Sequence, residues 1–264
     1  MISELLVCLD GSPQSLAALT ASVALAPALG AAVSVVTVTE PGSGTWEDRA
    51  WLDERCAEAG VHPHRRLVMA ADDAIGAIAG LATPETVLCL TSHGHRALVD
   101  DSLGSVAAGV VSRAAEPVLL VGPHATPPSR FDVVQLCLDG SALARRATTP
   151  AVAWCRQLDA TPWLLTVVPP DVASGVDATA GMAPLEGVIR EMRSAGLKPE
   201  WDVLHEHDVA RALAANAAER EATVLIAGTH GLTGARQAIL GSVAGGLVRH
   251  ASCPVLLLGP GARS

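Results

Sequence analysis

The chain contains the same series of short motifs twice, in the same order. Residues 5–12 (LLVCLDGS) recur 129 residues later as residues 134–141 (VQLCLDGS). Four further pairs follow along the chain: 35–38 with 164–167 at that same spacing, then 92–94 with 229–231, 103–107 with 240–244 and 116–122 with 253–259 at a spacing of 137 residues. Ordered matches at nearly constant spacing indicate a duplicated structural unit, so the fold must be one that half of this chain can form.

The repeats predict where the chain divides. We expect a first domain at 1–123 and a second at 130–264, joined by a linker at 124–129 in which Pro127-Pro128 favours an extended spacer. The spacing rises from 129 to 137 residues, which places eight extra residues inside the second copy. The loop at 169–184, rich in glycine, proline, alanine and aspartate, is the segment that we expect to hold them.

Strand and helix patterns alternate within each copy. Short apolar, valine-rich runs predict strands at 4–9, 32–39, 64–69, 86–90 and 117–121, and again at 132–138, 162–168, 200–205, 222–227 and 254–258. Longer alanine-rich or amphipathic segments between them predict helices at 13–29, 45–59, 72–81 and 105–115. Buried strands that alternate with helices form parallel sheets covered on both faces. The expected fold class is therefore α/β, with two tandem five-stranded parallel-sheet, Rossmann-like domains.

The composition argues against several functional classes. Half of the residues are hydrophobic, which suits a large core, and the formal net charge is −9. Nucleic-acid binding needs clustered Lys and Arg, and aromatic residues for base stacking make up only 2% here. We expect no nucleic-acid partner.

The termini and cysteines predict a cytoplasmic protein. Met1 to Glu4 lack a basic leader, and no apolar run reaches the roughly 20 residues of a membrane helix. The six cysteines show no zinc-binding spacing, and several lie in apolar strand-like runs where a thiol acts as a small hydrophobic group. A reduced cytoplasmic environment without membrane association is the expectation.

A glycine motif in the second copy carries the clearest chemical signal. Gly228-Thr-His-Gly231 follows a predicted strand, and nine residues later Gly241-Ser242 opens a predicted helix at 243–250. Glycines allow backbone amides to approach phosphates, and a helix N-terminus offers unpaired N–H groups and partial positive charge. Ser242 is expected at the N-cap, where its hydroxyl either caps the helix or binds a phosphate oxygen. The alternative is that these are ordinary turn glycines, but that reading does not explain the second copy of the motif.

The sequence resembles the universal stress protein family in its tandem two-domain form. The resemblance rests on Gly228-x2-Gly231-x9-Gly241-Ser242, on residues 7–15 with their counterpart at 134–141, and on residues 253–258, and it covers almost the whole chain. It implies an adenine-nucleotide-binding α/β fold with strand order 3-2-1-4-5. Ligands of such sheets bind where the strand order reverses, here between strands 1 and 4.

The resemblance also implies roles for particular residues of the second copy. Asp139 would lie beside the ribose and adenine, and the main chain of Val167 would meet the adenine edge. The ribose and phosphates would be bound by a third set of residues, namely Gly228, His230, Gly231, Gly241, Ser242 and Val243. Arg236 either leans over the phosphates or is a solvated loop residue.

The first copy departs from the motif. It keeps the counterparts Asp10, Val38, His93, Gly94, Gly104, Ser105 and Val106. Thr91, however, replaces the first glycine, and a Cβ atom there narrows the approach to a ligand. Asp100 and Asp101 would repel a polyphosphate unless Mg²⁺ lies between them. Whether the first copy binds ATP is left open.

Other candidate sites are weaker. His205 and His207 would share one face of a strand, as metal ligands can, but no third ligand is evident, and His62 and His64 are similar. Solvated strand ends are the preferred interpretation, so no metal site is predicted. Histidines 93 and 230 lack a nucleophile and carboxylate arrangement, so no catalytic residue is predicted. The five tryptophans have no shared spacing and are expected to be packing residues.

These observations lead to one functional hypothesis with two alternatives. The expected protein is an ATP-binding stress-response protein that signals through nucleotide occupancy, because no general base is identifiable and turnover would be at most weak. One alternative is an interaction module with degenerate clefts that bind no nucleotide, and the other is a slow ATPase or a nucleotide-consuming enzyme. The resemblance further implies that the two copies pair through their fifth strands as an intramolecular pseudo-dimer, and that whole chains form homodimers.

Overall fold

The strands and helices follow the predicted alternation. A computed structural model describes residues 1–42, 45–93, 103–170, 181–230 and 240–262. The described strands are β1 (Glu4–Cys8), β2 (Ala32–Thr39), β3 (Arg66–Ala70), β4 (Thr86–Thr91), β5 (Val118–Val121), β6 (Val133–Cys137), β7 (Thr161–Val167), β8 (Glu200–Leu204), β9 (Val224–Gly228) and β10 (Val255–Leu258). The described helices are α1 (Leu16–Leu29), α2 (Thr45–Glu58), α3 (Ala74–Ala79), α4 (Ser105–Arg113), α5 (Ala142–Arg146), α6 (Thr148–Leu158), α7 (Ala183–Ser194), α8 (Val209–Glu219) and α9 (Ser242–His250).

The ten strands form one continuous sheet in the order β3-β2-β1-β4-β5-β10-β9-β6-β7-β8. Neighbouring strands within each half are parallel, and each half has the predicted order 3-2-1-4-5. The two halves join through β5 and β10, which pair antiparallel with Leu119 opposite Leu256. The predicted pairing of the fifth strands is therefore present, and it protects two strands that would otherwise be apolar edges.

Helices cover both faces of the sheet. Side chains of α1, α2, α6 and α7 pack with one set of strand residues, such as Leu5 and Leu164. The helices α3, α4, α8 and α9 pack with the opposite set, such as Leu6 and Leu165. The alternation follows from the two-residue period of a strand, and burial on both faces explains why the inner strands are mainly apolar.

The two halves also meet through helices on the first face. Helix α1 packs on α6, and the Gln157 side chain reaches from α6 to the first half. Its Oε1 accepts a hydrogen bond from the amide of Ile2 at 3.0 Å, and its Nε2 donates to the carbonyl oxygens of Ile2 and Leu29. A side-chain amide thus satisfies backbone groups at the start of β1 and the end of α1.

Several predicted boundaries shift by one to three residues. The predicted helix at 13–29 begins with a 3-10 turn at Pro13–Ser15, and its counterpart in the second half is divided into α5 and α6. The helix predicted at 72–81 is shorter, because Asp73 accepts a hydrogen bond from the Gly76 amide and caps α3. Within the described residues, no helix is both long and apolar enough to cross a membrane.

Candidate functional site

A cavity of about 390 Å³ opens at the carboxyl ends of β6, β7 and β9. It lies at the reversal of strand order in the second half, between β6 and β9, and the first turns of α8 and α9 complete its wall. Seven of the predicted site residues line it: Asp139, Val167, Gly228, His230, Gly241, Ser242 and Val243. Gly231 and Arg236 lie outside the described residues. The structure thus brings together residues that are more than 100 positions apart in the sequence.

Most of the remaining lining was not anticipated from the sequence. It consists of Cys137, Leu138, Ala144, Val209, Leu213, Ala227, Thr229, Ala244 and Leu247. These residues are mainly apolar. Five of them lie one or two positions from a motif residue, Val209 and Leu213 lie on α8, and Ala144 and Leu247 lie further along α5 and α9. Apolar side chains in strands and helices carry no signal that separates a cavity wall from the core, so pattern reasoning missed these residues. A mostly apolar wall with a few convergent polar groups is typical of small-molecule sites.

Asp139 is held at the mouth of the cavity by a turn. One of its carboxylate oxygens, Oδ1, accepts a hydrogen bond from the Ser141 amide at 2.9 Å. Gly140 between them has a φ of 83°, which favours glycine. Ser141 then caps α5 by accepting a hydrogen bond from the Ala144 amide at 3.1 Å. The Asp-Gly-Ser turn therefore connects β6 to α5. It also holds the Asp139 carboxylate in one position.

The entry to α9 differs from the prediction for Ser242. Gly241 is the N-cap and Ser242 is the first helical residue, so Ser242 does not cap the helix with its hydroxyl. The Gly241 amide donates to the carbonyl oxygen of Thr229 at 2.8 Å, and a Cβ atom on Gly241 would lie 2.8 Å from that same oxygen. This close backbone contact requires glycine at the cap. The first amides of the helix therefore have no side-chain acceptor from the cap. Ser242 and Val243, which carry two of these amides, are exposed and line the cavity.

Gly228 is a second position where space is limited. A Cβ atom there would lie 3.1 Å from Cγ of Leu143 and 3.3 Å from the amide nitrogen of Ala144. The first half has Thr91 at the matching position, and a 3-10 turn replaces the start of the matching helix. The two halves therefore differ in backbone as well as in side chain beside this glycine.

A threonine–histidine pair completes the polar part of the cavity. Oγ1 of Thr229 and Nδ1 of His230 are 2.9 Å apart. Ser92 and His93 form the same pair in the first half, with Oγ and Nδ1 2.8 Å apart. The repeat in the sequence thus extends to a hydrogen bond.

The cysteine in the wall is a neutral thiol. Burial raises the pKa of Cys137 to about 12, against a partial lowering by a hydrogen bond from Gln135. Gln135 lies in β6, is fully buried, and donates from Nε2 to the carbonyl oxygen of Leu213 at 2.9 Å. Neither residue offers a nucleophile or a base at neutral pH.

The first half repeats much of the local geometry. Oδ1 of Asp10 accepts from the amide and hydroxyl of Ser12 at 2.9 and 2.6 Å. Gly104 is the N-cap of α4, and its amide donates to the carbonyl oxygen of Ser92 at 2.8 Å. Ser105 and Val106 are exposed in the first turn of α4, and Val38 is partly buried near the end of β2. Gly94, Asp100 and Asp101 lie outside the described residues.

The weaker candidates stay at the surface. The side chains of His62, His64, His205 and His207 are exposed, and the described residues contain no group of three or more potential metal ligands. Trp154 and Trp163 are buried, as expected of packing residues. Trp201 is the exception, since it is 40% exposed and the Arg193 guanidinium lies 5.5 Å from its ring centroid. An edge strand leaves one face of this tryptophan to solvent.

Comparison with known proteins places these features in a family. A sequence model described as "Universal stress protein family" matches residues 130–259. Universal stress protein MJ0531 of Methanocaldococcus jannaschii is 28% identical over 131 residues, which are 46% of this chain and 77% of that protein. A solved protein of the same family from Burkholderia pseudomallei is 30% identical over 50% of this chain and 98% of its own, with a TM-score of 0.42.

Solved structures also resemble the chain over nearly its whole length. The universal stress protein from Archaeoglobus fulgidus has a TM-score of 0.69, with 97% of this chain and 98% of that chain covered at 20% identity. This likeness extends to the arrangement of both halves, beyond the segment that the family model matches. The chain belongs to the universal stress protein family.

Proposed function

We propose that the chain binds an adenine nucleotide, ATP, in the cavity of the second half and signals through occupancy of that site. The observation that carries the proposal is the position of the cavity, between β6 and β9 and against the N-terminus of α9. Ligands of open α/β sheets bind at this point of reversed strand order.

The lining supplies a suitable group for each part of a nucleotide. Val167, Val209 and Leu213 provide an apolar surface for the base, and the carboxylate of Asp139 can accept hydrogen bonds from ribose hydroxyls. The first amides of α9 can donate to phosphate oxygens, where the helix dipole also favours negative charge. Recognition of the phosphates would then be mainly by backbone, which suits a chain with few cationic groups at the described wall.

The proposal concerns the second half first. Gly228 keeps the backbone open beside α5, whereas Thr91 adds a side chain at the matching place. Binding by the first half, through Asp10, Gly104, Ser105 and their neighbours, is a separate proposal that the same experiments decide. Mg²⁺ between the phosphates and acidic residues would assist binding there.

A matched pair of variants tests the site. Ser242 and Ser105 are both exposed first residues of a helix. The helix dipole stabilises a carboxylate at this position, so aspartate there should leave folding intact. Ser242→Asp should weaken ATP binding at least about tenfold, measured by isothermal titration, because the carboxylate repels the phosphates. Ser105→Asp should leave the affinity of the second site unchanged. The assignment is contradicted if Ser242→Asp leaves the ATP affinity unchanged, or if only Ser105→Asp lowers it.

The bound state of the purified chain is a direct check. Adenine nucleotide released on denaturation, or a thermal shift with added ATP, supports the proposal. A chain that contains no nucleotide and shows no shift is instead an interaction module without nucleotide. Steady consumption of ATP would identify a slow ATPase.

Three further expectations go with this function. We propose that the chain divides into domains at 1–123 and 130–264, that whole chains associate as homodimers, and that the protein is cytoplasmic. Size measurement by sedimentation tests the homodimer.

A further inference from the structure

The surroundings of Thr229 and His230 show which of the two side chains donates the proton in the hydrogen bond between them. The Thr229 side chain is buried, with 1% of the residue exposed, and it lies in the cavity wall beside His230. Within the part of the chain that the structure describes, the hydroxyl of Thr229 has one hydrogen-bond partner, Nδ1 of His230 at 2.9 Å. The two groups therefore share a single proton between them.

The hydroxyl must donate that proton. If Nδ1 carried a hydrogen and donated it, the hydroxyl hydrogen would be buried without an acceptor among the described residues, which is unfavourable. If the hydroxyl donates, Nδ1 accepts through its lone pair and both groups are satisfied. A neutral imidazole whose Nδ1 is an acceptor carries its proton on Nε2.

The backbone holds the hydroxyl in place. The Thr229 amide donates to the carbonyl oxygen of Leu258 at 3.0 Å, and its own carbonyl oxygen accepts from the Gly241 amide at 2.8 Å. Thr229 is thus tied to β10 on one side and to the N-cap of α9 on the other. The ring of His230 is consequently positioned relative to the helix N-terminus that forms the cavity wall.

The first half contains the same hydrogen-bonded pair, with serine in place of threonine. Ser92 is 2% exposed, and its Oγ lies 2.8 Å from Nδ1 of His93. Its amide donates to the carbonyl oxygen of Val121 at 3.0 Å, and its carbonyl oxygen accepts from Gly104 at 2.8 Å. The hydroxyl is what the two copies share, whereas the methyl group of threonine is present in only one.

We propose that Thr229 is a positioning residue that holds His230 as the neutral tautomer protonated on Nε2. His230 then presents an N–H donor, and not a lone pair, at the ring edge opposite Thr229. Whatever meets this edge, whether from the chain or from a ligand, must be an acceptor, and a phosphate oxygen is one such ligand group. The identity of that ligand rests on the proposed function, but the tautomer does not.

Nitrogen NMR of the full chain tests the tautomer directly. Histidine labelled with ¹⁵N is observed about two pH units above the ordinary imidazole pKa of about 6.5, and His230→Gln and His93→Gln assign the signals. We expect Nδ1 of His230 to be unprotonated and Nε2 to be protonated. Protonated Nδ1 in the unaltered chain would overturn the proposal.

Two substitutions separate the hydroxyl from the shape of the side chain. Thr229→Val keeps the shape without the hydroxyl, and it should give a mixture of tautomers and about fivefold weaker ATP binding. Thr229→Ser, which copies Ser92, should keep both the tautomer and the affinity. A serine variant with the valine spectrum would refute the role of the hydroxyl. If ATP does not bind at all, the proposed function fails, while the spectra still decide the tautomer.

Discussion

Gly122, just after β5, lies directly against the carbonyl oxygen of Val248 in α9, with no room for a Cβ atom between them. Gly259, just after β10, lies in the same way against the carbonyl oxygen of Val111 in α4. In each half, the helix that follows the fourth strand, α4 or α9, therefore packs its backbone against the residue just after the fifth strand of the other half. The antiparallel β5–β10 pair is consequently braced from both sides by close backbone contacts.

This contact predicts that alanine at either glycine destabilises the chain. Gly122→Ala or Gly259→Ala should lower the free energy of unfolding by about 1–3 kcal/mol, because the new methyl group must displace a helix carbonyl. Urea unfolding measures the change. Gly245→Ala in α9 is the control, since its Cβ would meet only Leu240 at 3.6 Å and helix propensity should make it neutral or stabilising. Equal effects of Gly122→Ala and Gly245→Ala would argue against the brace.

Exchange of Gly228 and Thr91 tests the difference between the clefts. Gly228→Thr should weaken ATP binding about tenfold or more, because the side chain meets Leu143 and the Ala144 amide and shifts the start of α5. Thr91→Gly, at the matching position of the first half, should not weaken it. Calorimetric titration provides both affinities, and a Gly228→Thr chain with unaltered affinity would place the nucleotide elsewhere.

Glu4 predicts a loss of stability in acid. Burial raises the pKa of this carboxyl, but hydrogen bonds from Arg65 and Thr86 and the charge of Arg65 outweigh that effect, and the net pKa is lowered. Arg65 contacts both carboxylate oxygens, at 2.8 and 2.5 Å. A carboxyl whose pKa is lower in the folded state stabilises the fold above its unfolded pKa of about 4.3, and the contribution is lost as pH falls through the folded pKa.

Glu4→Gln should therefore flatten this part of the pH dependence. Urea midpoints measured from pH 7 downward should fall less steeply in the variant than in the unaltered chain. Asp132→Asn is a suitable control, because that carboxylate pairs with Arg130 at the surface, where salt bridges contribute little. Parallel curves for Glu4→Gln and the unaltered chain would show that the pair of Glu4 and Arg65 does not control acid stability.

The cysteines predict slow thiol chemistry and a loss of stability in base. Burial raises the pKa of Cys89, Cys137, Cys155 and Cys253 to about 12, against about 8.5 for a free thiol. Stability due to these thiols is complete below about pH 8.5 and declines from there toward pH 12, because the unfolded chain ionises first. A thiol reagent at pH 8 should react only slowly with the native chain. After unfolding, it should react readily with all six cysteines. Rapid native labelling of Cys137 would contradict the buried, neutral thiol.

Gln135 is a buried polar residue whose replacement by leucine should cost little stability. Its Oε1 is buried without a hydrogen-bond partner among the described residues, as is Nε1 of Trp163 on the neighbouring strand. The first half has Leu6 at the matching position. Gln135→Leu should change stability by less than about 1 kcal/mol or increase it, since it removes a hydrogen bond and an unsatisfied acceptor together. Gln135→Ala, which leaves a cavity, should cost about 2 kcal/mol or more in the same unfolding assay.

Much of the site could be predicted because its residues follow strands. Asp139, Val167 and Gly228 end or follow three strands, and parallel strands bring their carboxyl ends to one edge. Of the seven predicted residues that line the cavity, Gly228, Gly241 and Ser242 followed from the glycine spacing. The roles of Asp139, Val167, His230 and Val243 were implied by the family resemblance. The position of Ser242 was predicted wrongly by one residue, because a glycine that meets the Thr229 carbonyl can replace a side-chain cap and sequence preference alone favours serine.

The sequence by itself determined the duplication, the α/β class and the motif residues of the cavity, because repeats, strand periodicity and glycine spacing are local properties of the chain. Only the tertiary structure decided the rest. The antiparallel direction and register of the β5–β10 pair, the contribution of Val209 and Leu213 to the wall, and the contact of Gly122 with Val248 all involve segments that are distant in the sequence. Their contacts depend on how helices pack across the sheet, and that packing leaves no motif in any one segment.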